Sequence, residues 1–517
     1  MALSLRNKDL RACGLALAGS LLLILSFPKI SWSFLAWFAF LPFFKAIEQE
    51  SGPRRFRLGT LAGLVSGFGI FYWVTHSMRY YGGLDTLTSF SILCLMVFYL
   101  ALYLGAFGWL WGLFPANSFF SLLWAPAVWV GLEGLRAKLL TGFPWALLGY
   151  SQYNWLPIIQ ITEITGVFGI SFLIILVNQT LYQCFLAGPA SRSWSQKWKE
   201  VLFTGGLVAL VLGFGFHSIT LQKEKDKGAE TAKVAVLQGN IDQSLKWNQD
   251  FQEQTIRIYR DLSLKDDLDS DLMIWPETAV PFYFLNENRL TPRLFDLTRE
   301  TGSHLLFGSP AFGHRQGQIQ YYNRAYLLSP EGRISFYDKV HLVPFGEYVP
   351  LKRFLPFVGK MVQAIGDFSP GEGSYGLSLP KGKVGVLICF ETIFPELSRT
   401  LKQEGCSLLV NITNDAWFGR TSAPYQHLSM LTFRAVENRV WVARAANTGI
   451  SAFIDSTGSI RRTYPLFQRG GIHAIIPLRP GLSFYTRYGD LILLLCTLIY
   501  FWGAWRWIKR RKRLANK

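Results

Sequence analysis

Seven apolar runs of spanning or near-spanning length crowd the first 219 residues, and an eighth lies near the C-terminus. They cover about 12–27, 32–47, 58–75, 90–114, 119–135, 164–186, 201–219 and 491–505. A helix needs about 20 mostly apolar residues to cross a bilayer, so these runs predict a membrane α-helical bundle of about eight spans. The first two are short. Composition agrees: half the chain is hydrophobic and its mean hydropathy is +0.22. It holds 18 Trp, 21 Tyr and 41 Phe, aromatic residues that suit membrane interfaces. The basic start (Arg6, Lys8, Arg11) ahead of the first run could be mistaken for a signal peptide. No small-x-small cleavage site follows and further spans do, so the run reads as a retained helix.

Charge sets the orientation. The net charge is +18, and much of the excess sits in short segments beside the apolar runs. These are the N-terminus, Arg54 with Arg55 and Arg57, Arg192 with Lys197 and Lys199, and the terminal KRRKRLANK. With eight spans all four fall on one side, which the positive-inside rule makes cytoplasmic. Arg136 and Lys138 are exceptions on the outer side. Basic residues placed beside spans argue against a nucleic-acid partner. At 517 residues the chain exceeds one ordinary domain. The expected division is a seven-helix bundle at 1–219, an outer domain at 220–487, and a last span with a basic cytoplasmic tail at 488–517.

The outer segment has another texture. Short β-like runs fall at 233–238, 272–275, 304–307, 325–329, 334–337, 384–389, 408–412, 440–445 and 451–455. Helical stretches fall between them at 248–262, 292–301, 395–403 and 427–438. Nearly continuous apolar strands flanked by helices predict sheets covered on their faces, an α/β layered domain. The six cysteines are scattered with no CxxC, so neither a disulfide framework nor a zinc site is expected. Cys389 and Cys406 are expected to lie too far apart to pair.

Three stretches place reactive residues just past apolar strands. DLMIWPETAVP carries Glu277, YDKVHLVPFGEYVP carries Lys339 and Glu347, and KVGVLICFETIFPE carries Cys389 and Glu391. Taken singly, each has a plain explanation. A cysteine ending an apolar run is more often inert core. Glu277 could cap a helix, Lys339 could be solvated, and Glu347 and Glu391 could pair with local basic groups. His341 and His427 lack metal-site spacing and read as structural hydrogen-bonders. Taken together, the three types make a chemistry. A thiol near pKa 8.5 is mostly protonated at neutral pH. A carboxylate can remove its proton, and an ammonium can stabilise first the thiolate and then an oxyanion. The N–H of Phe390, next after Cys389, is a second oxyanion donor. Attack on an acyl group would form a thioester, dividing one hard transfer into two easier steps.

The order Glu, Lys, Cys in the contexts WPET, DKVHLVPFGEYVP and ICFE resembles the nitrilase superfamily. Joined to the multi-span N-terminus, the whole chain looks like the apolipoprotein N-acyltransferase family within it. GFPWALLGYSQ (142–152), LQGNIDQSLKW (237–247), NDAWFG (414–419), the Gln426–His427 pair and RAVENR (434–439) match as well. The resemblance covers nearly all 517 residues. It implies a nitrilase-like αββα sandwich facing the periplasm of a bacterial inner membrane. It implies Glu277 as general base, Lys339 as oxyanion stabiliser and Cys389 as nucleophile, with Glu347 and Glu391 in support. The acyl donor would be a phospholipid, cut at sn-1. The acceptor would be the α-amine of an S-diacylglyceryl-cysteine on an apolipoprotein. Trp247 matches an entrance tryptophan, and Trp145 and Trp417 join it as substrate-binding candidates. No cofactor or metal is implied, and nothing requires more than a monomer. One departure is Phe390, where the family often has Tyr; the backbone N–H survives but any role for the phenol hydroxyl does not.

Two aromatic loops, 143–155 and 352–368, could give the lipid chains an apolar path, and Lys352, Arg353 and Lys360 could meet phosphate head groups. The same loops could equally serve to dock the domain on its bundle. One rival reading is a membrane-tethered amidase or nitrilase acting on a small amide, but a single tether would suffice for that. Another is a transporter, but the centres of the spans are almost free of the ionisable residues such a protein carries.

Overall fold

The computed structural model describes residues 2–114, 119–187, 194–244, 246, 248–265, 269–286, 289–315, 317–348 and 368–515. The chain forms two compact units. One comprises Met1–Thr75, Asp85–Ile219 and Tyr488–Lys517; the other comprises His76–Leu84 and Thr220–Arg487.

The first unit is helical. Among the described residues, five helices are long and apolar enough to cross a membrane: Asn7–Ser26, Thr86–Trp111, Thr162–Leu186, Lys197–Lys227 and Leu491–Lys509. A sixth is reached if the bent pair Gly52–Phe71 and Val74–Tyr80 is one span. The expected count of about eight is approximate: by length and composition, five or six of these helices qualify among the described residues. The run at 32–47 folds as a 3-10 turn, Ser33–Trp37, and an eight-residue helix, Phe40–Ile47, of only about 12 Å. Phe119–Arg136, with Pro126 inside it, spans about 27 Å, short of a ~30 Å hydrocarbon core. Small residues let helices approach closely. A Cβ on Gly59 would lie 2.5 Å from the Leu104 carbonyl oxygen, and one on Gly63 would lie 2.7 Å from the Ala101 Cα. Such backbone contact is what stands in for the hydrophobic effect between helices in lipid.

The second unit is a four-layer sandwich. Its strands are β1 (Thr231–Gln238), β2 (Leu272–Ile274), β3 (His304–Arg315), β4 (Gln318–Leu328), β5 (Ile334–Asp338), β6 (Gly376–Leu379), β7 (Gly382–Ile388), β8 (Cys406–Thr413), β9 (Trp441–Ala446), β10 (Ser451–Ile454), β11 (Ile460–Tyr464) and β12 (Gly470–Pro477). They form two six-stranded sheets, ordered β12-β1-β2-β3-β4-β5 and β11-β10-β9-β8-β7-β6. At the centre of each sheet three strands run parallel, β1-β2-β3 and β7-β8-β9. Parallel neighbours need a crossover, and helices supply each one. These are Gln249–Leu264, Thr291–Thr301, Pro395–Gln403 and Ala423–Asn438.

The core explains the layering. Val234, Val236, Ile274 and Leu306 from one sheet pack with Val384, Val386, Val410 and Ala443 from the other. The outer face of the first sheet buries Met273, Leu305 and Phe307 against Ile256, Tyr259, Leu294 and Leu297 of its helices. The second sheet buries Leu387, Leu409 and Val442 against Leu401, Leu428 and Leu431. Both faces of the central strands are thus dry, which is why they read as continuous apolar runs. This is the αββα arrangement expected from the sequence. Cys389 and Cys406 both carry free thiols.

Candidate active site

Most of the site lies where the central strands end. Glu277 follows β2, Cys389 follows β7, and Asn414 follows β8, all at carboxyl ends; Lys339 follows β5. In open α/β sheets that edge is where ligands bind.

Glu277 is fixed by backbone. Its turn runs against β3: the Gly308 N–H donates to the Pro276 carbonyl, and the Val280 N–H donates to the Gly308 carbonyl. Only glycine allows this approach, because a Cβ on Gly308 would sit 2.7 Å from the Glu277 Cα. Glu277 Oε1 accepts from Asn323 Nδ2 at 2.8 Å and Oε2 from the Asn414 N–H at 2.9 Å. Its carbonyl accepts from the buried Lys246 Nζ at 3.2 Å.

Lys339 is buried between two carboxylates. Its Nζ donates to Glu347 Oε1 at 2.9 Å and lies 3.8 Å from Glu277 Oε1. Burial works against its charge, but Glu347 and then Glu277 outweigh it and hold the ammonium above the ordinary lysine range. Asn323 Nδ2 also donates to Glu347 Oε1 at 2.8 Å, so one amide ties the two carboxylates together. Glu347 Oε2 accepts from the Val343 N–H at 2.8 Å, closing its own loop.

Cys389 is buried and has φ +51°, the left-handed region that a non-glycine residue occupies at about 1–3 kcal/mol. Burial pushes its thiol well up, the Glu277 charge adds to this, and the Lys339 ammonium pulls the other way. The thiol is therefore protonated at rest and needs a base. Glu391 fixes the turn. Its Oε2 accepts from the Ile388 N–H at 2.7 Å. Its Oε1 accepts from the Tyr337 hydroxyl at 2.9 Å, the Val340 N–H at 2.7 Å and the His341 N–H at 3.1 Å. Burial raises Glu391 to about 7. Its four hydrogen bonds tie the end of β5 and the loop after it to the end of β7, which marks it as a clamp. The half-buried Phe390 ring packs edge-on against Phe394, with centres 5.3 Å apart.

Five predicted residues, Glu277, Lys339, Glu347, Cys389 and Glu391, thus belong to one buried cluster, with Phe390 beside it. Trp417 is 39% exposed, its indole edge-on to Tyr81 at 5.1 Å and its carbonyl bonded to Ser77 Oγ. Trp145 belongs to the helical unit, where it is buried beside Trp73 and Phe143. Trp247 and residues 349–367, which include most of the second aromatic loop with Lys352, Arg353 and Lys360, lie outside the described residues. Sequence reasoning passed over Asn323, Lys246 and Asp415. Asn323 interrupts an otherwise strand-like YYNRAYLL, a polar side chain that needed a partner, and Lys246 sits in the QSLKW stretch.

Comparison with known proteins places this architecture. Residues 233–479 match the carbon–nitrogen hydrolase family. A solved structure from Xanthomonas campestris, a CN-hydrolase superfamily protein, is 18% identical, with TM-score 0.37 over 48% of this chain and 91% of that one. By the family match, the class is a carbon–nitrogen hydrolase domain carried on a chain with several apolar helices. Residues 19–180 match the apolipoprotein N-acyltransferase N-terminal domain. An apolipoprotein N-acyltransferase of Geobacter metallireducens is 48% identical over 93% of this chain and 92% of its own length. One from Methylococcus capsulatus is 34% identical over 93% of each. The chain belongs to the apolipoprotein N-acyltransferase family.

Proposed function

We propose that the protein moves an acyl chain from the sn-1 position of a phospholipid to the α-amine of the S-diacylglyceryl-cysteine of an apolipoprotein, through a thioester on Cys389. Family membership supports the overall reaction over hydrolysis of a small amide. One observation carries the mechanism: a buried ammonium, Lys339, stands between two carboxylates, and both its charge and that of Glu277 act on the buried Cys389 thiol in its left-handed turn.

In the first half, Glu277 takes the Cys389 proton as sulfur attacks the ester carbonyl. The oxyanion is met by Lys339 Nζ and the Phe390 N–H. Collapse breaks the acyl C–O bond, and Glu277 returns the proton to the leaving glycerol oxygen, giving a lysophospholipid. In the second half, the acceptor amine attacks the thioester and Glu277 takes its proton. Collapse breaks the C–S bond, and the proton returns to sulfur as the amide leaves. Both halves are redox-neutral and use no cofactor. Glu347 keeps Lys339 charged, and Glu391 holds the turns.

Both substrates are lipids, and moving each acyl CH₂ into water costs ~0.8 kcal/mol, so a helical membrane unit on the same chain suits them. The clustered basic segments support a multi-pass protein of the inner membrane with its catalytic unit on the periplasmic side. One chain carries every group the scheme uses, so the protein works as a monomer. The test supplies purified protein with a phospholipid labelled in its sn-1 chain and a diacylglyceryl-cysteine peptide. N-acylated peptide and lysophospholipid should appear in equal amounts. Labelled free fatty acid with no acylated peptide would overturn the assignment in favour of a hydrolase.

A further inference from the structure

Behind the nucleophile lies a second buried network that the scheme above does not use. His427 and Arg444 are fully buried, and Asp415 is 1% exposed. His427 Nε2 lies 3.1 Å from the Cys389 carbonyl oxygen. A carbonyl only accepts, so Nε2 must carry the proton. On the other side, Nδ1 lies 3.1 Å from Arg444 Nη2, which only donates, and 3.2 Å from Asp415 Oδ1. Arg444 is itself held by Asp415 Oδ2 at 2.6 Å, by Asn411 Oδ1 and by the Ile450 carbonyl at 3.1 Å. Burial and then the Arg444 charge lower the basicity of the imidazole, with Asp415 pulling the other way. The ring is thus held with its Nε2–H aimed at the Cys389 carbonyl.

That carbonyl belongs to the same peptide group as the Phe390 N–H. A hydrogen bond to an amide oxygen draws electron density toward oxygen and leaves the N–H more positive, the cooperative strengthening seen along hydrogen-bond chains. We propose that His427, oriented by Arg444 and Asp415, polarises the Cys389–Phe390 peptide and so strengthens the N–H that binds the oxyanion. His427 is then a positioning residue for both halves of the reaction, acting through the peptide without touching substrate. The inference rests on the thioester reading given above.

Two reactions of Cys389 separate this role from simple support of the fold. Acylation by phospholipid passes through an oxyanion; alkylation by iodoacetamide displaces iodide from a tetrahedral carbon and does not. Both rates are measured at Cys389 by mass spectrometry on the full chain in detergent. His427→Ala should slow acylation ~10- to 100-fold while alkylation stays within about threefold. His427→Gln, which keeps a neutral N–H donor, should recover most of the acylation. His427→Met, which fills the space without a donor, replaces the alanine variant should that fail to fold. Acylation at the parental rate without the donor, or an equal loss of both rates, would overturn the inference alone. A parent protein that is alkylated but never acylated would overturn the thioester reading, and this inference with it.

Discussion

Replacing Glu391 by Gln removes one charge and almost no volume, yet it should disable the nucleophile. All four partners of this carboxylate are donors: the Ile388, Val340 and His341 N–H groups and the Tyr337 hydroxyl. A glutamine has one acceptor oxygen. Set at the Oε1 position, it satisfies three donors and turns its NH₂ on the Ile388 N–H, where the carboxylate accepted at 2.7 Å. Set the other way, it opposes three donors. The cheaper choice loses one hydrogen bond to a charged group, worth ~1.5–3 kcal/mol. That loss falls on the peptide leading into Cys389, whose left-handed φ of +51° stores a similar energy. If the turn relaxes, sulfur leaves the line shared by Glu277 and Lys339. Single-turnover acylation at pH 8, followed by intact mass, should fall about 10- to 100-fold, since each 1.36 kcal/mol is a factor of ten. The global fold should persist. Acylation within twofold of the parent would refute the clamp.

Gly308→Ala forces a Cβ to within 2.5 Å of the Thr278 nitrogen and should displace Glu277, lowering acylation ~100-fold; parental activity would show that the turn gives way freely. Asn323→Leu removes the amide shared by Glu277 and Glu347, and Asn323→Asp adds a third carboxylate beside Lys339. Both should slow acylation more than ~10-fold in the single-turnover assay, the aspartate more than the leucine. Burial depresses Lys246 from its ordinary 10.5 to about 7. Its folded value lies below the unfolded one, so its contribution to stability is full above about 10.5 and is lost as pH falls through 7. Thermal midpoints at pH 6 and pH 9 should therefore differ less in Lys246→Met than in the parent, and an unchanged difference would show that Lys246 is not desolvated.

The parallel strands were plain in the sequence because both their faces are dry. VGVLI, LLVNI and LMI are apolar without alternation, and each lies in a central strand. Three of the four edge strands, β6, β11 and β12, were not. β12, GGIHAIIP, alternates half-buried and exposed positions, and β11, IRRTY, carries two arginines at the edge of its sheet. Neither has the composition of a buried run. Glu277 and Cys389 could be found because each follows such a run, and Lys339 because it follows the strand-like ISFYD. Asn323 and His427 could not be assigned their partners, because those contacts cross 46 and 38 residues of chain. The span count is approximate where helices are short: 32–47 is apolar but breaks after five residues at Phe38. Trp145, a substrate-contact candidate from the GFPWALLGYSQ stretch, is buried beside Trp73.

The covalent intermediate is the most direct measurement. Purified protein incubated with phospholipid alone should gain the mass of one fatty acyl chain, mapped to Cys389 and released by hydroxylamine. Cys389→Ala should gain nothing. A folded parent protein that accepts no acyl chain, or one that carries it on a residue other than Cys389, would contradict the account.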